Sequence, residues 1–369
     1  MKPAAPPLTA LINAIPATVP FVGPEQLERN RGRAFAARIG ANENGFGPSP
    51  RAVAAMQASA SGSWLYADPT SHDLIEVIAK LHRISAANIV AGEGIDGLLG
   101  LAVHMAVEHG AAVVTSDGAY PTFNFHVASF GGALIKVPYA SDREDIDQLL
   151  ASARAHNAAI IYLSNPDNPM GSWWPAGDVH RLVAQLPPGC LLCLDEAYID
   201  TLPAPEHPVI DVEHPQVLRF RTLSKAYGLA GARIGYAMGP ARLIAEFEKV
   251  RNHYGINRMG QIGALAAIED QAYLVEVVAK IARARDRIGD IARVNGLRPL
   301  ASAASFVAID CGRDGAYANR ILAGLIARDI FVRKPAIAPL DRTIRVSCGP
   351  DGALNLFAKA LPGAIAAAQ

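Results

Sequence analysis

The sequence has no excess of either charge. Its 369 residues carry 34 basic and 34 acidic side chains, a formal net charge of zero, and no stretch gathers the basic ones into a stripe. That excludes the electrostatic footprint of a nucleic-acid binder. No apolar run is long enough to span a bilayer, so no membrane partner is expected. The first twenty residues, MKPAAPPLTALINAIPATVP, are proline-rich and lack the long apolar stretch of a secretory leader, and none is expected. Cysteine is scarce: Cys190, Cys193, Cys311 and Cys348 are all there are. The first two have CxxC spacing, but they lie in GCLLCLDEAY, an apolar run that reads as a buried strand. Two further ligands at matching spacing are missing, so no metal site is expected. Buried free thiols imply a reducing, cytoplasmic setting. There is no internal repeat, and no low-complexity tract beyond the Pro/Ala-rich start.

What is present is a large apolar fraction, 51%, against 18% charged residues. That is the balance of a globular chain, and the length exceeds one compact core, so two lobes are expected. HDLIEVIAKLHRI carries Leu74, Ile75, Ile78 and Leu81 at helical spacing, and LLGLAVHMAV reads as a buried helix. NIVAG, AAVVTSD, AAIIYLS and CLLCLDEAY are short continuous apolar runs between such helices. Strands of that kind build a mostly parallel sheet covered on both faces, an α/β fold. VLRFRTLS and RIGYAMG read as two more strands. After ARLIAEFEKVRNHYG a long helix over about 260–293 leads into SFVAID, IFVRK and TIRVSC, the strands of a smaller α/β lobe. The expected division is a segment 1–41 packing on the lobes, a large domain 42–255 and a small domain 256–369.

In open α/β sheets ligands bind beyond the carboxyl ends of the strands. The residues there are Gly92-Glu93-Gly94, Asp117, Asn165 to Asn168, Asp195 to Tyr198, and Ser224-Lys225. They are the polar, flexible residues of an otherwise apolar lobe, which points to one shared site. GEGIDG matches G-x-G-x-x-G and could hold a phosphate at a helix N-terminus. Asp117 even stands where a dinucleotide fold wants its ribose-binding acid. That reading leaves Lys225, NPDNP and DEAY without a task, and a tight strand-to-helix turn would explain the glycines equally well.

Asp195 ends a buried strand. A carboxylate there needs a cation, either an internal salt bridge or the protonated ring nitrogen of a cofactor such as pyridoxal phosphate. Tyr198 and Asn168 could bond that ring's phenolic oxygen, although SNPDNPMG on its own also reads as a rigid loop. In RTLSKAYGLAGARIG, Lys225 could join an aldehyde cofactor as a Schiff base. Ser224 and Arg233 would take the phosphate. The small residues Gly228, Ala230, Gly231 and Ala232 let the chain fold back so that these groups converge.

With SNPDNPMG, LDEAYID and RTLSKAYGLAGARIGYAMG assembled, the chain resembles the fold type I pyridoxal-phosphate aminotransferases, and among them the histidinol-phosphate aminotransferases. The likeness runs from ANENGFGP near residue 41 to IRVSCG near 349. It implies a large cofactor-binding lobe, a smaller α/β lobe, a homodimer, and amino transfer between an amino donor and a 2-oxo acid. It implies Lys225 as the cofactor-bound lysine, Asp195 on the ring nitrogen, and Asn168 and Tyr198 on the ring oxygen. Backbone N–H groups of Glu93 and Gly94 would bind the phosphate with Ser224 and Arg233, and Phe123 would stack on the ring. Tyr66 would reach the neighbouring subunit's phosphate. Arg345 would anchor the substrate anion and Arg333 a second one, with Asn44 and Arg258 also on the substrate side.

The chain departs from the family's pattern in places. Phe21 stands where a substrate-contacting tyrosine is common, NPTG is NPMG, GIDGLL lacks an acid, and Arg258 replaces a small or apolar residue. These departures bear on substrate, leaving open an aromatic or other amino-acid aminotransferase, or a decarboxylase of a phosphorylated amino acid.

Overall fold

The computed structural model describes residues 6–16 and 22–369; Phe21 lies outside them. Twelve strands are present among the described residues. They are β1 (Ala37–Arg38), β2 (Ile89–Gly92), β3 (Ala112–Ser116), β4 (Ala133–Val137), β5 (Ile160–Ser164), β6 (Leu191–Asp195), β7 (Val217–Thr222), β8 (Gly235–Met238), β9 (Arg298–Pro299), β10 (Phe306–Asp310), β11 (Ile330–Phe331) and β12 (Thr343–Ser347). Seven form one sheet in the order β2-β8-β7-β6-β5-β3-β4. Adjacent strands from β7 to β4 run parallel, while β8 is antiparallel to both β2 and β7. All strands except β8 therefore point the same way. The residues that follow β2, β3, β5, β6 and β7 emerge along one edge.

The continuous apolar runs are explained by burial on two sides. Ile160 and Tyr162 enter one core cluster, and Ile161 and Leu163 enter another; Cys193 parts from Leu192 and Leu194 in the same way. Sequence reading missed β4, whose ALIKV is an edge strand with an exposed Ala133 and Lys136.

The single long helix expected over 260–293 is two helices, Arg258–Glu269 and Gln271–Val294. Asp270 divides them, its carboxylate accepting the N–H of Tyr273 to cap the second. Arg258–Glu269, expected in the smaller lobe, packs with the large sheet's helices, sharing a core with Ala52, Leu74 and Ile78. Gln271–Val294 packs with β10, β12 and two further helices, Gly315–Ala327 and Asp351–Ala366, around Ile281, Ile288, Ile321 and Phe357.

Residues 37–39 belong to this second core rather than the first. β1 pairs with β11, Ser347 N–H donates to the Ile39 carbonyl at 2.8 Å, and Ala37 and Ile39 are buried there. The chain then crosses from the second core to the edge of the large sheet.

Candidate active site

A cavity of about 220 Å³ opens at that edge. Asn168, Asp195, Tyr198, Ser224, Lys225 and Arg233 all line it, so residues from three strand ends converge as the strand-end rule requires. Ala41, Glu43, Ile95, Asp96 and Tyr120 complete much of the wall.

Lys225 is half-buried. Its Nζ donates to the Asn42 carbonyl at 3.3 Å and lies 5.6 Å from the Tyr198 ring centre. The turn that presents it needs small residues for a stated reason. Gly228 has φ +71°, and a Cβ on it would come within 2.6 Å of the Gly47 carbonyl carbon. Beyond the turn, Arg233 reaches back. Its Nη1 lies 3.5 Å from Ser224 Oγ and donates to the Ala230 carbonyl at 3.1 Å. Serine and arginine thus meet beside the start of the helix Gly94–Ala106, whose free N–H groups and positive end favour an anion.

Asp195 is 3% exposed. Tyr162 Oη donates to it at 2.6 Å and Ala197 N–H at 2.9 Å, and among the described residues no lysine or arginine pairs with it. Burial pushes its pKa up to about 6. The salt bridge weighed for this strand end belongs to the next residue. Glu196 takes Arg219 at 2.7 Å and Arg221 at 2.9 Å. Burial opposes its charge, but the two guanidinium groups outweigh it and hold the carboxyl below its ordinary value. A buried carboxylate that faces the cavity and has no salt-bridge partner among the described residues suits a protonated ring nitrogen, and the Ser224–Arg233 corner suits a phosphate. The residues present fit pyridoxal phosphate.

On the opposite wall Asn168 Oδ1 accepts from Arg345 Nη1. Arg345 sits between Ile344 and Val346, which are buried in the second core, so the guanidinium leaves on the other face, as alternation predicts. Burial lowers its pKa to about 10, and its Nε has no hydrogen-bond partner among the described residues. Arg333 and Arg345 exchange backbone hydrogen bonds, N–H to carbonyl, at 3.3 and 2.6 Å. The Arg333 side chain donates to the Val22 carbonyl at 3.0 Å.

Several expected residues stand elsewhere. Phe123 is 0% exposed and stacks on Tyr162 at 4.3 Å; the aromatic wall of the cavity is Tyr120, three residues earlier. The family resemblance points to Phe123; the residue that lines the cavity is Tyr120. Glu93 packs on Gly255 and lines a different cavity of about 190 Å³. Gly94 has φ +78°, and a Cβ there would meet Arg233 Nη2 at 2.5 Å. The cavity-side residues of that turn are Ile95 and Asp96. Asn44 donates to the Ala226 carbonyl at 2.9 Å and accepts from Phe46 N–H, so its amide secures the lysine turn rather than the cavity. Arg258 opens its helix against Gly62 and off the cavity wall, its buried Nε without a partner among the described residues. Asp117, the acid of the dinucleotide reading, pairs with Lys136 at 3.3 Å. Tyr66 is 77% exposed, its ring 4.7 Å from that of Tyr254.

Sequence reading missed Asn42 as well. Its Nδ2 donates to Tyr198 Oη at 2.9 Å while its carbonyl takes Lys225. The ANEN run marked the segment, but nothing in it told which asparagine turns inward.

A lysine, a buried acid without a salt-bridge partner among the described residues, and an anion corner surround one cavity. Residues 37–361 match aminotransferase class I and II, and the chain belongs to that family. A histidinol-phosphate aminotransferase from Sinorhizobium meliloti, solved in complex with pyridoxal-5′-phosphate, is 53% identical with a TM-score of 0.95, over 98% of both chains. The histidinol-phosphate aminotransferase of Erythrobacter litoralis is 32% identical over 90% of this chain and 91% of its own. That of Moorella thermoacetica is 29% identical over 91% and 87%.

Proposed function

We propose that the protein is a pyridoxal-phosphate aminotransferase that moves an amino group from histidinol phosphate to a 2-oxo acid such as 2-oxoglutarate. The observation that carries the cofactor reading is Asp195: a buried carboxylate on the wall it shares with Lys225, with no paired cation among the described residues. The substrate reading rests on Arg345 and Arg333, which stand side by side on bonded backbone, and on the names of the relatives.

When bound, the cofactor supplies a cationic ring that takes up the electrons released at the substrate's Cα. Lys225 would hold it covalently, with Ser224, Arg233 and the N–H groups at Ile95–Asp96 on the phosphate. Asp195 keeps the proton on the ring nitrogen, which a neutral side chain in its place would not. Asn168 and Tyr198 fix the ring oxygen, and Asn42 fixes Tyr198. Lys225 Nζ, once free, takes the proton from Cα and returns it on the other side of the transfer, acting as base and then acid. Arg345 anchors one substrate anion in both half-reactions. Arg333 selects a second, the phosphate of the donor.

Tyr66 points out of its own subunit's cavity beside the exposed Tyr254 and Trp64 (82% exposed), which supports a homodimer in which it completes the partner's phosphate site. The division of the chain that we propose puts the cofactor lobe at 42–269 and the smaller lobe at 270–369. We place the enzyme in the cytoplasm; no helix of the described residues is long and apolar enough to cross a membrane.

The test is a set of single-turnover spectra. Borohydride should fix the cofactor on Lys225, and Lys225→Ala should retain its fold and lose turnover. Histidinol phosphate should convert the bound cofactor faster than a plain aromatic amino acid does, and Arg333→Ala should remove that advantage. If the wild type ignores histidinol phosphate and Arg333→Ala changes nothing, a general amino-acid aminotransferase takes its place.

A further inference from the structure

The Tyr120 hydroxyl donates to Asp96 Oδ1 at 2.6 Å, a short hydrogen bond. The other oxygen of the same carboxylate, Oδ2, lies 3.4 Å from Arg233 Nη2. One side chain therefore touches both the aromatic wall of the cavity and its anion-binding arginine, and all three line the cavity. The two contacts are not equal. Asp96 and Arg233 are about a third and a half exposed, and an ion pair of that length and exposure contributes little. Tyr120 is largely buried, and burial raises the pKa of its hydroxyl, so the group stays protonated and donates.

We propose that Asp96 is a positioning residue that aims the Tyr120 ring across the cavity. It does so by accepting the tyrosine's hydroxyl proton in a hydrogen bond, and its contact with Arg233 is secondary. The placement explains why the acid stands here at all. A carboxylate beside a phosphate corner repels the phosphate, and that cost is tolerable only where the carboxylate is turned to another partner. Asp96 sits in the first turn of Gly94–Ala106, where its charge suits the helix, and Tyr120 sits immediately before Pro121 at the start of the helix Pro121–Ser129. The Tyr120–Asp96 bond thus ties two helix starts across the site.

The inference rests on the cofactor reading above, so the test separates the two by comparing pyridoxal phosphate with pyridoxal, which has the ring and no phosphate. Dissociation constants for both aldehydes are measured on the full chain freed of cofactor, with the visible circular dichroism of the bound chromophore and the melting temperature. Tyr120→Phe keeps the ring and removes the hydroxyl, with its bonds to Asp96 and Thr122; Asp96→Ala removes the acceptor. Each should raise both dissociation constants roughly tenfold, as loss of a hydrogen bond to a charged group does. The double variant should be no worse than either single, since both delete the same bond. Asp96→Asn, whose amide oxygen still accepts, should recover most of the affinity and of the dichroic band. Effects that add in the double variant, or an Asp96→Ala defect confined to pyridoxal phosphate, would overturn the proposal, the latter because it would make Asp96 a partner of Arg233 alone. Unchanged constants in Tyr120→Phe would do the same. Wild type that binds neither aldehyde would sink the cofactor reading and this inference with it.

Discussion

Asp195 and Glu196 are neighbours at the end of β6, equally buried, and electrostatically opposite. Glu196 turns to Arg219 and Arg221 and is held ionised; Asp195 turns to Tyr162 and the cavity and is pushed toward its neutral form. The first solves the problem of a buried charge inside the protein. The second leaves it unsolved until something cationic arrives. Asp167 extends the second pattern. It accepts from Tyr139 at 2.8 Å and from Met170 N–H, yet burial raises it to about 7. Glu144 is raised too, its Oε1 without a partner among the described residues. Of these buried acids, Glu196 is satisfied by its own arginines, and Asp195, without any, is the one that lines the cavity.

Asp195→Asn should bind cofactor but lose activity by on the order of 10²–10³-fold in kcat, because the amide does not hold the ring proton. A single-turnover rate equal to wild type would remove the distinction. Glu196→Gln should leave the single-turnover rate of the folded enzyme near normal. It should cost about 3 kcal/mol of stability, since two arginines lose their counter-charge in a buried place; chemical denaturation measures it.

Acidity sharpens the comparison next. An acid whose folded pKa lies above its unfolded value binds its proton more tightly when folded, so its cost grows as pH rises from the unfolded value through the folded one. Asp195 and Asp167 should therefore make the cofactor-free protein lose stability between about pH 4 and pH 7. Asp195→Asn should recover about 3 kcal/mol at pH 8. Glu196, held low, contributes the reverse: stability present above its unfolded pKa and lost as pH falls through its folded one. Melting curves of wild type and Asp195→Asn across pH 4–8 should converge at the acid end; parallel curves would contradict the assignment. The smallest effect concerns the wall. Phe123→Leu should cost about 1–2 kcal/mol of stability through lost packing, while cofactor affinity stays within about twofold. A larger loss of affinity would return the wall to Phe123.

Much of this architecture is legible in the amino-acid sequence. Continuous apolar strands announce a sheet covered on both faces, and the strand-end rule places Asn168, Asp195, Ser224 and Lys225 at one edge. What escapes is direction. A turn residue can face the cavity or the flank, and nothing local distinguishes Glu93 from Asp96, or Phe123 from Tyr120, until the register of helix against strand is known. Asn42 escapes for a different reason: its partners lie more than 150 residues away. Which core Arg258–Glu269 serves escapes too, because it has the pattern of any amphipathic helix and only packing assigns it.

The stretch from Ala37 to Asn44 also governs when the site can exist. Asn42 N–H bonds Ser347 Oγ across 305 residues of chain, and the same asparagine steadies Tyr198 and Lys225. During translation the lysine turn emerges long before β12. The bond from Asn42 N–H to Ser347 Oγ closes only after β12 has left the ribosome. Closing so long a loop costs entropy that only the completed second core offsets. A nascent chain stalled before residue 343 should therefore fold its large sheet and still hold cofactor poorly, so that the enzyme comes into being late, with the arrival of β12.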